Sequence, residues 1–185
     1  MKHIEYEERV MISATDYQKI IDDIKAEGIP YTVLVIDNAY LDNKDRYINK
    51  NKMMLRIRRI VGRQPELTLK IHNENGLTEE INETLNSHPM IDEKLNNKFN
   101  EFYEIARLMT NRIEVQYEDY LFVIDKNQYS GIIDHDIEIE AESQEKALQI
   151  IYKYCEKYGL RYNPYYKAKS KRAIKAVKKK TKKHR

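Results

Sequence analysis

The chain has 185 residues, of which 41% are hydrophobic and 34% are charged, enough for one domain with a sizeable core. No apolar run approaches the roughly 20 residues of a membrane-spanning helix, and no signal-peptide pattern opens the sequence. The single cysteine, Cys155, excludes an internal disulfide. These features argue against membrane-spanning and disulfide-rich secreted proteins and predict a cytoplasmic protein.

The formal net charge of +3 hides a strong asymmetry along the chain. Residues 169–185 contain ten Lys and Arg and no acid, so residues 1–168 contain 23 bases and 30 acids, a net charge of −7. A basic end is thus attached to an acidic body. The end is either a solvated helix that frays into a disordered tail or a weak contact site for nucleic acid or polyphosphate.

Alternation and helical spacing predict eight strands and four helices. In chain order they are a strand at 3–11, a helix with Thr15 and Gln18 as a capping box that ends at Gly28, strands at 31–41, 53–61, 66–72 and 77–84, a helix at 91–109, strands at 112–118, 121–126 and 134–141, a helix from Ser143 to Gly159, and a helix after Pro164. Eight strands with few intervening helices favour antiparallel pairing over repeated βαβ units.

Acids are concentrated on one face of the first and last predicted strands. In "HIEYEERV", Glu5 and Glu7 share a face, and in "DIEIEAE" the acids oppose Ile137 and Ile139. Those acids are Asp136, Glu138 and Glu140. Carboxylates at i and i+2 on one strand face lie roughly 6.5–7 Å apart. Such pairs are suited to hard divalent cations, which also relieve the repulsion between like charges.

Bases are concentrated on the polar faces of the central strands. In "MMLRIRRI", Arg56 and Arg58 oppose Leu55 and Ile57. Taken singly, each strand is equally well explained as half of an ordinary solvated sheet. Together, the apolar faces predict a cover of helices, so that the charged faces line the inside of a curved or closed sheet. Guanidinium groups opposite metal-binding acids suit a linear polyphosphate.

An ordered series of motifs resembles the CYTH superfamily of triphosphate tunnel metalloenzymes. The motifs are "EYEER", "YLDN", "LRIRR", "LTLKI", "TNRIE", "VIDKNQYSG", "DIEIE" and "KAKSKRA". The chain looks most similar to the compact bacterial CYTH proteins of Gram-positive type. The resemblance implies an α+β domain over residues 1–173, built as an eight-stranded antiparallel closed β tunnel with a charged lumen and flanking helices. Residues 174–185 would then form a basic C-terminal tail.

The same resemblance implies roles for individual residues. The catalytic metal ligands would be Glu5, Glu7, Glu138 and Glu140, with Asp125 as a further metal ligand. The substrate-binding residues would be Arg9, Arg56, Arg58, Lys70, Arg112, Lys169 and Lys171. The chain departs from the family pattern twice. Arg9 replaces a usual lysine, and Glu80 with Asn82 stands where many members have two glutamates, which weakens a second metal site there.

The resemblance implies an enzyme, a Mg²⁺- or Mn²⁺-dependent triphosphatase that releases orthophosphate. Inorganic triphosphate is the favoured substrate, and nucleoside or thiamine triphosphate are alternatives. A class IV-type adenylyl cyclase and a non-catalytic binder of polyphosphate or nucleotides remain open. The expected partner is a small triphosphate or short polyphosphate, with no membrane and with nucleic acid only through the basic tail.

Overall fold

A computed structural model describes residues 6–72 and 78–183. It contains eight strands, β1 Tyr6–Ile12, β2 Thr32–Asp42, β3 Met53–Ile60, β4 Glu66–His72, β5 Thr78–Thr84, β6 Tyr103–Gln116, β7 Tyr120–Tyr129 and β8 Ile132–Ala141. Five α-helices accompany them, α1 Ala14–Ala26, α2 Tyr47–Lys50, α3 Pro89–Lys94, α4 Gln144–Tyr158 and α5 Lys169–Lys183. No helix in these ranges has both the length and the apolar character needed to span a membrane.

The strands form one eight-stranded sheet in the order β1-β8-β7-β6-β2-β3-β4-β5. The register is antiparallel for the β1–β8, β7–β8, β2–β3, β3–β4 and β4–β5 pairs. The predicted α+β class and eight-stranded antiparallel sheet are therefore confirmed. The predicted closure is wrong: over residues 6–72 and 78–183, β1 and β5 are edge strands that do not pair with each other. Alternation identifies the faces of a strand but carries no information about which edges are paired.

The chain packs as two compact units. Among the described residues, the second unit comprises 6–35 and 110–167. In it, α1 and α4 cover the apolar face of β1, β7 and β8, which is why the isoleucines of α1 and α4 meet those of the strands. The core residues of this layer are Val10, Ile20, Ile21, Ile24, Val115, Phe122, Ile124, Ile137, Ile139, Ala147, Ile150, Ile151 and Cys155. Burial of this face leaves the opposite face of the same strands to the polar residues.

Among the described residues, the first unit comprises 36–72, 78–109 and 168–183, and it has a core of its own. Its buried residues come from β2, β3 and β4, from the short helices α2 and α3 and from the position directly after α3, and they are Leu41, Ile48, Leu55, Leu67, Leu69, Ile91 and Leu95. Glu83 fastens α3, since its carboxylate accepts hydrogen bonds from the backbone N–H groups of Met90 (3.1 Å) and Ile91 (2.7 Å). Such a contact satisfies donors that a helix N-terminus leaves unpaired.

The predicted helix at 91–109 is wrong over most of its length. It ends early because Asn96 and Asn97 adopt positive φ values of 55° and 57°, which a helix cannot continue through. From Tyr103 the chain is strand β6, in which Ala106 and Leu108 are buried while Arg107 between them is exposed. The period in this stretch is therefore two, and the apolar spacing that suggests a helix is coincidental.

One helix cap also differs from the sequence prediction. Helix α1 is capped by Ser13 and Asp16 in a capping box, two residues earlier than the predicted Thr15 and Gln18. Helix α5 continues to Lys183, through the proposed start of the basic tail, and buries Ala173 and Ala176 along one side.

Candidate functional site

Strands β1, β7 and β8 of the second unit bring five acids to one sheet face. The register places Glu7 opposite Glu140 and Asp125 opposite Asp136, and paired residues of antiparallel strands point to the same side. Glu138 lies between them on β8. We call this set the carboxylate cluster: Glu7, Asp125, Asp136, Glu138 and Glu140. Glu5, the remaining predicted ligand, lies outside the described residues.

The cluster contains two groups of three carboxylates, and within each group the oxygens are close enough to bind the same cation. Oxygen atoms of Glu7, Glu138 and Glu140 all lie within 4.8 Å of one another, and so do oxygens of Asp125, Asp136 and Glu138. Hard cations such as Mg²⁺ and Ca²⁺ prefer oxygen ligands of this kind. The residues present therefore fit a divalent cation, and Glu138 belongs to both groups.

Burial makes this concentration of negative charge costly. Asp125 and Asp136 are completely buried, and Glu138 is 2% exposed. Arg112, on β6, offsets part of the charge: its Nε and Nη2 donate to the two oxygens of Asp125 at 3.0 and 2.8 Å, and Nη2 also donates to Glu138 at 3.1 Å. Burial lowers the pKa of Arg112, but the attraction of Asp125 and Glu138 outweighs it and holds the pKa well above its usual value.

Arg9 is the second cation of the cluster. Its guanidinium donates to Glu138 and to Glu7. As for Arg112, burial disfavours its charged form, while Glu138, Glu7 and Asp136 favour it more strongly and raise its pKa. The two arginines predicted as phosphate ligands in this unit thus lie among the predicted metal ligands, and five carboxylates share two guanidinium groups.

Strands β3 and β4 of the first unit bring the bases together. The register places Arg56 beside Tyr40 and Thr68, and Lys70 beside Glu80. Lys70 forms an ion pair with Glu80, and Arg56 Nη2 lies 3.9 Å from the same carboxylate. Burial raises the pKa of Glu80, but Lys70, the hydrogen bond from Asn82 and then Arg56 outweigh it, so the pKa lies below its usual value. The Glu80 carboxylate is therefore neutralised by bases of this unit.

Helix α5 adds bases to the same region of the first unit. Burial raises the pKa of Tyr40, and the opposing influences come from four bases near its hydroxyl. They are, in decreasing order, Arg56, Lys169, Arg58 and Arg172. We call Arg56, Arg58, Lys70, Lys169 and Arg172 the basic cluster. The predicted ligand Lys171 is exposed and lies on another side of α5. There its charge adds to the effect of burial in lowering the pKa of His72.

Three residues of these surroundings have no functional role in the sequence prediction. Arg172 lies one helical turn after Lys169, so the i, i+3 spacing would have identified it. Asp136 is placed by alternation on the same face as Glu138, but the sequence prediction does not include it among the metal ligands. The sequence around Tyr40 does not indicate a functional role, because a tyrosine at a strand position is usually a core residue.

Comparison with known proteins gives the family. The sequence matches the CYTH domain over residues 3–170. The chain belongs to the CYTH domain family. No match is found among curated proteins.

Solved structures agree with this CYTH assignment at the level of fold. A candidate adenylate cyclase from Bacillus halodurans is 24% identical, with a TM-score of 0.77 over 92% of this chain and 97% of that one. A candidate adenylyl cyclase from Hippeastrum, described as having a dominant triphosphatase activity, is 17% identical, with a TM-score of 0.69 over 91% and 93%. A protein from Pyrococcus horikoshii is 16% identical, with a TM-score of 0.60 over 88% and 96%.

Proposed function

We propose that this CYTH protein is a divalent-cation-dependent triphosphatase that hydrolyses the terminal phosphoanhydride of a triphosphate and releases orthophosphate. Inorganic triphosphate is the proposed substrate, with nucleoside or thiamine triphosphate as alternatives. The observation that carries the proposal is the carboxylate cluster, in which Glu138 belongs to both groups of closely spaced carboxylate oxygens. Three of the five carboxylates are buried, and two guanidinium groups balance only part of the five negative charges, so the cluster is suited to a further cation.

Mg²⁺ or Mn²⁺ would be held by Glu7, Glu138 and Glu140, with Asp125 as a further ligand and Glu5 as the ligand expected from the sequence. When bound, such a cation polarises a phosphoryl oxygen and lowers the pKa of coordinated water. The cluster's own contribution is to hold these oxygens in place, because their strands are paired on both sides of β8.

Phosphate binding is assigned to the bases. Arg56, Arg58 and Lys70 project from paired strands, and Lys169 adds a base from α5. Arg9, Arg112 and Lys171 complete the proposed set. Guanidinium forks bind phosphate oxygens bidentately and stabilise the charge that spreads over those oxygens during transfer. This assignment requires no Ser, Cys or His nucleophile.

An adenylyl cyclase is the second candidate, because the similar Bacillus halodurans chain is named as a candidate for that activity. The name of the Hippeastrum protein supports the triphosphatase. The two reactions differ in their products. Hydrolysis of the terminal phosphate releases orthophosphate, whereas closure of ATP to cyclic AMP releases pyrophosphate.

The deciding experiment measures orthophosphate, pyrophosphate and cyclic AMP from inorganic triphosphate, ATP and thiamine triphosphate, with Mg²⁺ or Mn²⁺. The wild-type chain is compared with Glu138→Gln, which removes the charge shared by both carboxylate groups, and with the exposed control Glu142→Gln. We expect orthophosphate release that falls at least about a hundredfold in Glu138→Gln only. Cyclic AMP with pyrophosphate would establish the cyclase, and tight binding without any product would leave a polyphosphate- or nucleotide-binding protein.

We further propose that the chain is of the compact bacterial, Gram-positive type, which the similarity to the Bacillus halodurans chain supports. The cytoplasmic location stays a prediction from sequence.

A further inference from the structure

A buried polar network adjoins the carboxylate cluster on β6, β7 and β8 of the second unit. Its centre is Asn127, which is completely buried. The amide nitrogen of Asn127 donates to Asp136 at 2.9 Å and to Asp134 at 3.1 Å. Its amide oxygen accepts a hydrogen bond from the hydroxyl of Thr110 at 2.9 Å. The hydroxyl of Tyr129 donates to Asp134.

These partners fix the orientation of the Asn127 amide. A flipped amide would place its oxygen against two carboxylates, which only accept hydrogen bonds, and would lose both donations. Thr110 reinforces the orientation, because its hydroxyl proton is given to the amide oxygen. Thr110 is 17 residues from Asn127 in sequence and 3% exposed, so tertiary packing brings the two side chains together.

The fixed amide in turn restrains Asp136. Asp136 Oδ2 accepts from Asn127, while the Asp136 carboxylate also lies within 4.8 Å of oxygens of Asp125 and Glu138. Hydrogen bonds of this type orient metal-binding carboxylates in many proteins, and their loss commonly weakens metal affinity tenfold or more. Asp134, which shares the same amide, belongs to neither of the two carboxylate groups found among the described residues.

We propose that Asn127, supported by Thr110, is a positioning residue that sets the Asp136 carboxylate for cation binding with Asp125 and Glu138. Asn127 touches neither substrate nor cation in this role and acts through Asp136. The inference rests on the proposed function in one respect, namely that the carboxylate cluster binds a divalent cation.

The test measures binding of Mn²⁺ alone by titration calorimetry, together with the thermal midpoint in EDTA, for the full chain and its variants. Asn127→Leu removes both donations directly, but it leaves the buried Asp136 and the half-buried Asp134 without them, so Thr110→Val and Thr110→Ser form a milder pair. Valine is nearly isosteric with threonine and has no hydroxyl, whereas serine keeps the hydroxyl. Tyr129→Phe is the matched control, since it removes a hydroxyl that donates to Asp134 and leaves the contacts of Asn127 with Thr110 and Asp136 in place.

We expect Mn²⁺ to bind Thr110→Val about tenfold more weakly than wild type, with near wild-type affinity in Thr110→Ser and Tyr129→Phe. Equal affinity in wild type and Asn127→Leu would overturn the positioning role while leaving the triphosphatase proposal intact, and equal affinity in wild type and Thr110→Val would overturn the support assigned to Thr110. Equal weakening in Thr110→Val and Tyr129→Phe, in proportion to their lowered thermal midpoints, would also overturn it, because general destabilisation would then suffice. Absence of Mn²⁺ binding by the wild type would overturn this inference together with the proposed cation site.

Discussion

The two units use the same sheet design with opposite charge. In the second unit the polar face of β1, β6, β7 and β8 carries more acids than bases, and two of its bases, Arg9 and Arg112, are bound to those acids. In the first unit the polar face of β3, β4 and β5 carries more bases than acids, and one of its acids, Glu80, is bound to Lys70. In both units, side chains of the less common charge thus form ion pairs with side chains of the more common charge.

The difference between the units lies in burial. The Arg112–Asp125 pair has side chains that are 12% and 0% exposed, whereas Lys70 and Glu80 are 27% and 19% exposed. Water therefore screens the Lys70–Glu80 pair better than the Arg112–Asp125 pair. Asp125 thus depends on its paired cation for stability, while Lys70 is better able to exchange its partner for a phosphate.

The largest effect is expected from Arg112→Met. It leaves Asp125 and Glu138 buried without that cation, and breaking a buried pair in this way costs about 3 kcal/mol of unfolding free energy. Urea denaturation in EDTA measures the loss, and Mn²⁺ should recover part of it by replacing the lost positive charge. The control is Arg107→Met in the first unit, where the exposed pairs with Glu104 and Asp37 predict a loss below about 1 kcal/mol. Equal losses in the two variants would show that the buried pairs of Arg112 contribute no more stability than the exposed pairs of Arg107.

A smaller stability effect, with a clear effect on ligand affinity, is expected from Arg56→Met. Removing one base from an excess of bases relieves like-charge repulsion, and Glu80 keeps its pair with Lys70. We therefore expect a change in unfolding free energy below about 1 kcal/mol and binding of inorganic triphosphate roughly tenfold weaker, about 1.4 kcal/mol. Calorimetric titration checks both variant and control. Arg59→Met, on the opposite face of β3, should bind like wild type, and a comparable loss there would remove the basic cluster from the proposed site.

The smallest effect concerns the pH dependence of stability. The pKa of Glu80 is lowered in the folded chain because Lys70 and Arg56 outweigh its burial. Its contribution is therefore fully present above the ordinary glutamate value near pH 4.5 and is lost as the pH falls through the lower, folded pKa. Glu80→Gln should flatten the unfolding free energy measured by urea between about pH 5 and pH 3. A slope identical to that of wild type, with Glu79→Gln as the control, would contradict the pairing of Glu80.

The charged strands were predictable because period two is a local property. "HIEYEERV", "MMLRIRRI" and "DIEIEAE" each show which residues share a face, and the structure keeps those faces for every one of their described residues. The helix predicted at 91–109 failed for a nonlocal reason. Ala106 and Leu108 are buried by neighbouring strands, and a short apolar stretch fits either period until its partners are known.

The sequence by itself determined the strand faces, the division into acid-bearing and base-bearing strands, and the resemblance that led to the family. Tertiary structure decided the pairing: that Arg112 binds Asp125, that Glu80 is held by Lys70, and that Thr110 orients Asn127. It also decided that β1 and β5 remain unpaired edges within the described part of the chain. The physical reason is that alternation sets where a side chain points from its own strand. Strand order and register set which other side chains it meets.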